Sequence, residues 1–243
     1  MTGEGFSPRA TARLAGLLYF INAACGLWAE AFVRGRIVVA GDAAKTAANI
    51  IANQTLYRSG FAADLVSMVL ELAIALLLYT LFRPVSRGLA GAMVLFRVAW
   101  VAIFATVALT HIAPLLLLDG SIKGLDESLA QSLSYFFLRL HGQGYEIGLV
   151  FFGVDCLLIG MLILRSDFLP KVLSALLMLA GICYLVNSFA DFLAPAFARQ
   201  LGVWPLLPCA LAEYALILWL LIVGVNAMKW TAQAGRADQP GHA

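Results

Sequence analysis

The stretch RLHGQGYEIGLVFFGVDCLLIG, residues 139–160, decides the fold class of this chain. It is apolar enough to form a membrane-spanning helix, yet it contains two carboxylates, Glu146 and Asp155. Ionisable side chains inside a membrane segment are costly when they face lipid, and they almost always face the interior of a helical bundle or a water-filled cavity. The stretch therefore predicts one helix of a membrane bundle that encloses a polar site.

The whole chain has the composition of a multi-pass membrane protein. Of its 243 residues, 62% are hydrophobic and only 12% are charged, and the mean hydropathy is +0.90, which is outside the range of soluble domains. A helix needs about 20 residues to cross the hydrocarbon core. Six apolar runs have about this length: residues 14–32, 61–82, 89–112, 145–164, 172–192 and 206–228. The sequence predicts an all-α integral membrane bundle of about six transmembrane helices, with residues 1–230 as one domain and 231–243 as a disordered polar tail.

Several other classes are disfavoured by the sequence. A cleavable signal peptide competes for the first run, because Arg9 and Arg13 precede it, but its full length favours a span. No basic cluster predicts a nucleic-acid partner at a net charge of +2. No nucleotide-binding glycine pattern, GxSxG or CxxC motif is present, so no cofactor is predicted. Gly16 and Gly91 are instead predicted to let neighbouring helices approach closely.

Basic residues at the short turns predict the orientation. The face that the positive-inside rule assigns to the cytoplasm holds Arg9, Arg13, Arg83, Arg87, Arg165, Lys171, Lys229 and Arg236. The sequence therefore predicts that both termini are cytoplasmic. The opposite face is predicted to hold Arg34, Arg36, Lys45 and Arg58 in longer loops, where the rule applies less strictly.

Short interfacial helices are predicted in the two longer outer loops. In residues 41–60, Asp42 is placed to cap a short helix. In residues 125–142, apolar side chains recur at helical spacing, which predicts a separate helix over the mouth of the bundle. His141 would then lie where the chain resumes its helix after glycines.

Turn positions predict which buried charges meet. Two antiparallel helices joined by a short turn place residues of constant index sum side by side, and the turn near Val85 brings Glu71 within half a turn of Arg97. Both lie near mid-membrane, where mutual pairing avoids an isolated charge. Asp155 is predicted at the same depth, so that one cation faces two carboxylates and one carboxyl holds a proton.

Polar residues in the outer halves of the spans predict an acidic cavity that opens outward. The predicted binding residues are Asp64, Glu71, Arg97, His111, Glu146, Asp155, Asn187 and Glu213. Glu30 and Asp191 are interpreted as interfacial residues near helix ends. Because Glu146 and Asp155 are nine residues apart, about 180° on a helical wheel, a straight helix cannot direct both into one cavity.

No metal site is predicted. The only plausible ligands are His111, His141, Glu146, Asp64 and Glu213, and no HxxxH or HExxH spacing supports them. His111 and His141 are weak candidates, and His141 is expected to hydrogen-bond to a backbone carbonyl.

Four segments resemble a known family. They are ARLAGLLYF at residues 12–20, GDAAKTAANI at 41–50, LLYTLFRPVSRGLAGAMVLFR at 77–97, and GLVFFGVDCLLIGMLILRSDFLPKVLSALLMLAGICYLVNS at 148–188. Together they are similar to the bacterial membrane family known as "domain of unknown function 4386". The resemblance implies a multi-pass protein of the bacterial cytoplasmic membrane, and it brings no catalytic residues with it.

Three functions are compatible with the sequence. The first is binding or transport of a small cation, a proton-coupled solute or an amphiphile through the outer cavity. The second is an intramembrane enzyme on a lipid or isoprenoid substrate, with Asp155 or Glu71 as the general acid. The third is a non-catalytic assembly or sensor subunit. The expected partners are the lipid bilayer and a small-molecule or lipid ligand, and no oligomeric state is predicted.

Overall fold

The computed structural model describes residues 7–237, and these residues form helices and connecting turns without a β-strand. The helices are α1 (Pro8–Leu27), α2 (Gly35–Ile37), α3 (Ala43–Ala52), α4 (Gln54–Phe82), α5 (Arg87–Leu118), α6 (Glu127–Arg165), α7 (Lys171–Leu193), α8 (Pro195–Leu201), α9 (Leu206–Leu218) and α10 (Ala227–Ala237). Two π-helical segments, Trp28–Arg34 after α1 and Trp219–Val223 after α9, continue their helices. Gly224, at a φ of 74°, ends the second of these segments in a conformation that favours glycine.

Six of the helical stretches are long and apolar enough to cross a membrane. They are Pro8–Ile37, Gln54–Phe82, Arg87–Leu118, Glu127–Arg165, Lys171–Leu193 and Leu206–Val223. Large apolar side chains on these helices are widely exposed, as with Leu76 at 65% and Leu95 at 70%, which is the pattern expected of surfaces that face acyl chains. The predicted all-α class and the number of spans are therefore confirmed, and the chain is a multi-pass membrane protein.

The described chain divides into two compact units. The first consists of residues 7–20, 71–100 and 149–237, and we name it the Arg97 unit. The second consists of residues 21–70 and 101–148, and we name it the Arg34 unit. Each unit takes residues from several helices.

Close helix packing in the Arg97 unit depends on glycines. A methyl group added to Gly16 would collide with the backbone of Leu221, and one added to Gly181 would lie 2.6 Å from the carbonyl oxygen of Gly153. Small residues of this kind let membrane helices approach closely. The packing role predicted for Gly16 is therefore confirmed. The role predicted for Gly91 is wrong, because no described residue comes within 4 Å of a methyl group added there.

The C-terminal segment of the Arg97 unit is helical and tied to its neighbours. Trp230 Nε1 donates a hydrogen bond of 2.9 Å to the carbonyl of Leu81, and Arg236 forms an ion pair of 2.6 Å with Asp167. Residues 231–237, which the sequence assigns to a disordered tail, lie in helix α10. Composition predicts a tail because the segment is polar, and it does not reveal these contacts. Residues 238–243 lie outside the described range.

The Arg34 unit contains the short loop helix α3. Asp42 Oδ1 accepts a hydrogen bond of 2.8 Å from the backbone N–H of Lys45, which confirms the predicted N-cap. A small apolar core in this unit contains Val33, Ile37, Ile50, Tyr57, Leu115 and Leu138. Ile50 of α3 thereby shares one core with side chains from the end of the first span and from α4, α5 and α6.

The predicted separate helix at residues 125–142 is wrong. The structure has one continuous helix α6 of 39 residues, which passes through Gly142 and Gly144 without a break. A glycine inside a helix costs only about 1 kcal/mol relative to alanine, and tertiary packing outweighs that cost here. A methyl group added to Gly144 would collide with the side chain of Val107, so glycine allows this close contact between α5 and α6.

Candidate functional site

The Arg97 unit contains a charged group inside the spans, formed by one arginine and two carboxylates. Arg97 on α5 is fully buried, and its Nη1 donates a hydrogen bond of 2.6 Å to Glu71 Oε2 on α4. Its Nε donates a hydrogen bond of 3.0 Å to Asp155 Oδ2 on α6, and its Nη2 donates to the same oxygen. Three helices thus contribute to one ion-paired group, which we name the Arg97 group.

Aromatic side chains pack around the guanidinium of the Arg97 group. The Cζ atom of Arg97 lies 5.2 Å from the ring centre of Tyr19 and 5.4 Å from that of Phe152, within the range of cation–π attraction. Asp155 Oδ1 is buried and has no hydrogen-bond partner among the described residues. The group therefore sets one positive charge against two carboxylates and leaves one acceptor oxygen unused.

The predicted pairing of Glu71 with Arg97 is confirmed, and so is the convergence of Asp155 on the same arginine. The four-residue turn between α4 and α5, residues 83–86, explains why the first pairing follows from the sequence. A short turn sets the relative depth of two antiparallel helices. The second pairing also requires that α6 pack beside α5, which the sequence does not determine.

A second polar contact in the Arg97 unit joins the last two spans. The hydroxyl of Tyr184 on α7 donates a hydrogen bond to Glu213 Oε1 on α9. Glu213 is half-buried, and a carboxylate partly withdrawn from water is less costly when a side chain donates to it. Asn187 lies three residues after Tyr184 on α7 and is half-buried.

The Arg34 unit contains a different charged group, centred on an arginine at the end of the first π-helical segment. Arg34 Nη1 donates a hydrogen bond of 2.7 Å to Asp64 Oδ2 on α4, and Nη2 donates one of 3.3 Å to Oδ1. Its Nε donates a hydrogen bond of 2.7 Å to Glu30 Oε2. Asp64 is buried, whereas the side chain of Glu30 is 74% exposed.

Two buried histidines lie beside Asp64 in the Arg34 unit. His111 Nδ1 on α5 accepts a hydrogen bond of 3.1 Å from Arg34 Nη1, because a guanidinium can only donate. His141 Nδ1 on α6 lies 3.2 Å from the carbonyl oxygen of Val107 and donates to it. The Nε2 atoms of both histidines are buried without a hydrogen-bond partner in residues 7–237. One ligand atom each from Asp64, His111 and His141 lie within 4.8 Å of one another.

The position predicted for Arg34 is wrong. The sequence assigns Arg34 to an outer loop, whereas the structure extends the first span to Ile37 and buries Arg34 beside Asp64. The apolar run ends at residue 32, but the helix continues, and Glu30 and Arg34 pair within this extension. The spacing of four residues between Glu30 and Arg34 could have indicated that the helix continues, since opposite charges four residues apart on a helix lie side by side.

The expectation for His141 is confirmed, because its Nδ1 is hydrogen-bonded to a backbone carbonyl. The motif search did not detect its proximity to His111, since the two histidines lie on different helices. Spacing motifs report only ligands on one helix or loop. The structure thus brings His141, a weak metal candidate from the sequence, close to His111. It also adds Arg34 and Tyr57, whose hydroxyl donates a hydrogen bond of 2.5 Å to the carbonyl of His111.

The predicted binding residues divide between the two units. The Arg97 unit contains Glu71, Arg97, Asp155, Asn187 and Glu213, and the Arg34 unit contains Asp64, His111 and Glu146. Glu146 is half-buried. Glu146 and Asp155 lie on the same helix but belong to different units, because the boundary between the units falls between residues 148 and 149.

Comparison with known proteins identifies the family. A family model described as "Domain of unknown function (DUF4386)" matches residues 14–224. The chain is also similar to an uncharacterised protein from Archaeoglobus fulgidus, with 29% identity over 157 residues that make up 65% of this chain and 78% of the archaeal protein. No solved structure matches the chain significantly. Because the family model covers all six spans in whole or in large part, this chain is a member of the DUF4386 family.

Proposed function

We propose that this membrane protein binds and transports a small cation or solute together with a proton, and that the Arg97 group holds the proton. The observation that carries the proposal is an imbalance of charged groups on α4, α5 and α6: one fully buried guanidinium contacts two carboxylates. Removing charged groups from water is costly unless they are balanced. Uptake of one proton by Glu71 or Asp155 balances the group, and loss of that proton leaves it with one negative charge.

The surroundings of Asp155 support this role. Its Oδ1 has no hydrogen-bond partner among the described residues, so this oxygen is available to a proton or to a water molecule. The other titratable side chains close by in the Arg97 unit include Tyr19 on α1, Cys156 on α6 and the Tyr184–Glu213 pair on α7 and α9. Carboxylates inside membrane spans commonly mark proton relays in pumps and transporters.

Irregular helices in the first and last spans also favour transport over a purely structural bundle. Each of these spans changes from α-helix to π-helix, at Trp28–Arg34 and at Trp219–Val223. Short π-helical segments occur frequently at functional sites. The proposal includes an acidic cavity that opens outward and a location in the cytoplasmic membrane with both termini inside, as the distribution of basic residues favours.

Infrared spectroscopy of the purified protein in lipid tests proton binding. We expect a protonated-carboxyl band that changes with pH and is lost or strongly reduced in Asp155→Asn or in Glu71→Gln. Asp167→Asn is the matched control, because Asp167 is 54% exposed and pairs with Arg236 at the surface. A pH-dependent band that is identical in the wild type and in both buried-carboxyl variants would contradict the proposal.

Vesicle experiments test transport, with the proton as the probe. The protein is reconstituted in vesicles that contain a pH-sensitive dye, and a potassium diffusion potential is imposed. We expect proton entry several-fold above protein-free vesicles for the wild type and for Asp167→Asn, and entry near the protein-free rate for Asp155→Asn. Wild-type vesicles that are no more permeable than protein-free ones would rule out proton transport.

A further inference from the structure

We infer that Asp64, His111 and His141 form a binding site for a divalent transition-metal cation inside the Arg34 unit. One ligand atom from each residue lies within 4.8 Å of the others, and all three side chains are buried. Two imidazoles and a carboxylate are the donor set of many zinc sites that keep a fourth position open. This site uses none of the residues of the Arg97 group, so it does not depend on the proposed function.

The distances between the three donor atoms fit a metal centre once the side chains move slightly closer together. Ligand bonds of about 2.0–2.2 Å place the donor atoms of a tetrahedral zinc site roughly 3.3–3.6 Å apart. His111 Nδ1 and Asp64 Oδ2 are already only 3.8 Å apart. Movement of about 1 Å by side chains therefore suffices to bring the donors to bonding distance.

His141 has the arrangement typical of a metal-ligating histidine. Its Nδ1 donates to the carbonyl of Val107, which fixes the tautomer and leaves the lone pair of Nε2 free. Nε2 is buried and has no partner among residues 7–237. The second ring N–H of most metal-bound histidines donates to a carboxylate, a backbone carbonyl or a water molecule, and this hydrogen bond orients the ring. A buried acceptor left without a donor is costly, and a bound cation removes that cost.

Arg34 occupies part of the same space and competes with the metal. Its guanidinium binds both Asp64 and the Nδ1 of His111, so a cation that binds these atoms displaces it. Glu30 accepts a hydrogen bond of 2.7 Å from Arg34 Nε on the other side of the guanidinium. This exposed carboxylate can remain paired with Arg34 after the guanidinium has moved out of the site. Two cations so close repel each other, and the site is therefore expected to bind metal more tightly when Arg34 is replaced.

Cobalt(II) titration of the full-length protein tests the site, since cobalt(II) absorbs visible light when nitrogen and oxygen ligands hold it tetrahedrally. The protein is purified without a polyhistidine tag, in detergent, and titrated by absorption and calorimetry. We expect one cobalt(II) per chain. Loss of a residue that only supports a ligand commonly weakens metal binding about 10–100-fold, so His141→Ala and His111→Ala, which each remove a ligand, should weaken it at least as much. His242→Ala is the control and should bind like the wild type, since His242 is the third histidine of the chain.

Replacement of Arg34 gives a result of opposite sign, which a merely structural cluster would not produce. Arg34→Ala should bind cobalt(II) more tightly than the wild type, and cobalt(II) should raise its Tm by more. If an alanine variant does not fold, His141→Gln and Arg34→Gln are measured instead. No binding to the wild type, or equal binding by the wild type and both histidine variants, would overturn the metal site. Unchanged affinity after replacement of Arg34 would overturn the competition.

Discussion

At the residue scale, Arg97 illustrates why buried charges must be considered as a group. It is fully buried and contacts Glu71, Asp155 and the rings of Tyr19 and Phe152. Replacing a whole buried ion-paired group by apolar side chains is often neutral for stability, whereas removing one member leaves an uncompensated charge. The stability of the Arg97 unit therefore depends on the balance of the group more than on any one contact.

We expect Arg97→Ala to lower the free energy of unfolding by about 3–5 kcal/mol, because two buried carboxylates lose their counter-ion. The double variant Arg97→Ala with Glu71→Ala should be less destabilised than the single variant. Thermal denaturation in detergent, followed by the loss of the folded fraction on size exclusion, measures both. Additive losses in the double variant would show that the two residues do not interact.

The two buried histidines, in contrast to the ion-paired Arg97, have polar atoms without hydrogen-bond partners. His111 and His141 are as well buried as apolar core residues, yet each has a ring nitrogen without a hydrogen-bond partner among the described residues. Buried polar atoms in folded proteins are nearly always satisfied by protein or by ordered water. Of the two, only His141 Nε2 has a free lone pair, because His111 Nδ1 accepts from Arg34 and its Nε2 therefore carries the proton. The unpartnered acceptor of His141 is the observation that the proposed metal site accounts for.

At the element scale, the contact between α1 and the second π-helical segment depends on one small residue. Gly16 faces the backbone of Leu220 and Leu221, and this contact joins the first and the last spans within the Arg97 unit. Helices in lipid gain little from the hydrophobic effect when they associate, so close van der Waals packing of this kind carries much of the stability.

We expect Gly16→Ala to destabilise the protein by about 1–3 kcal/mol, because the added methyl group overlaps backbone atoms that cannot turn away. Gly26→Ala is the matched control on the same helix, since no described residue lies within 4 Å of a methyl group there. The control should be neutral, or stabilising by up to about 1 kcal/mol. Equal Tm values for the two variants would contradict the close packing at Gly16.

The continuity of α6 also belongs to the element scale. The helix has 39 residues, a length of about 58 Å, nearly twice the ~30 Å hydrocarbon core. Local composition around Gly142 favours a break, but no proline interrupts the segment. Backbone hydrogen bonds and the contact of Gly144 with Val107 keep the helix continuous.

At the scale of the whole molecule, the orientation in the membrane is a prediction that rests on the basic turns. Residues 83–88 and 165–171 contain Arg83, Arg87, Arg165 and Lys171. In the structure the last of these caps a helix end, because Lys171 Nζ donates to the carbonyl of Leu164 at 2.6 Å. Cytoplasmic loops of membrane proteins carry such an excess of lysine and arginine.

We expect a membrane-impermeant maleimide added to intact cells to label Asn53→Cys but not Gly88→Cys. Asn53 lies between α3 and α4 on the predicted outer side, and Gly88 lies at the start of α5 on the predicted inner side. Both positions are exposed, and labelling of the four native cysteines is measured in the unsubstituted chain as the baseline. The reverse labelling pattern would place the termini outside.

The sequence was most informative where a physical rule links distant residues through a short connection. Glu71 and Arg97 could be paired because the turn of residues 83–86 sets the register of α4 and α5. The spans could be counted because each must be apolar over the thickness of the bilayer. The helical extent of the first span was underestimated, because the helix continues past its apolar run through the paired residues Glu30 and Arg34.

The sequence by itself determined the class of protein, the number of spans and one ion pair, because these depend on hydrophobicity and on turns of a few residues. Only the tertiary structure decided that Arg34, Asp64, His111 and His141 lie together. These residues come from four different spans. Their proximity depends on which helices are neighbours and on how each is rotated about its axis, and side-chain packing over the whole length of the helices sets both.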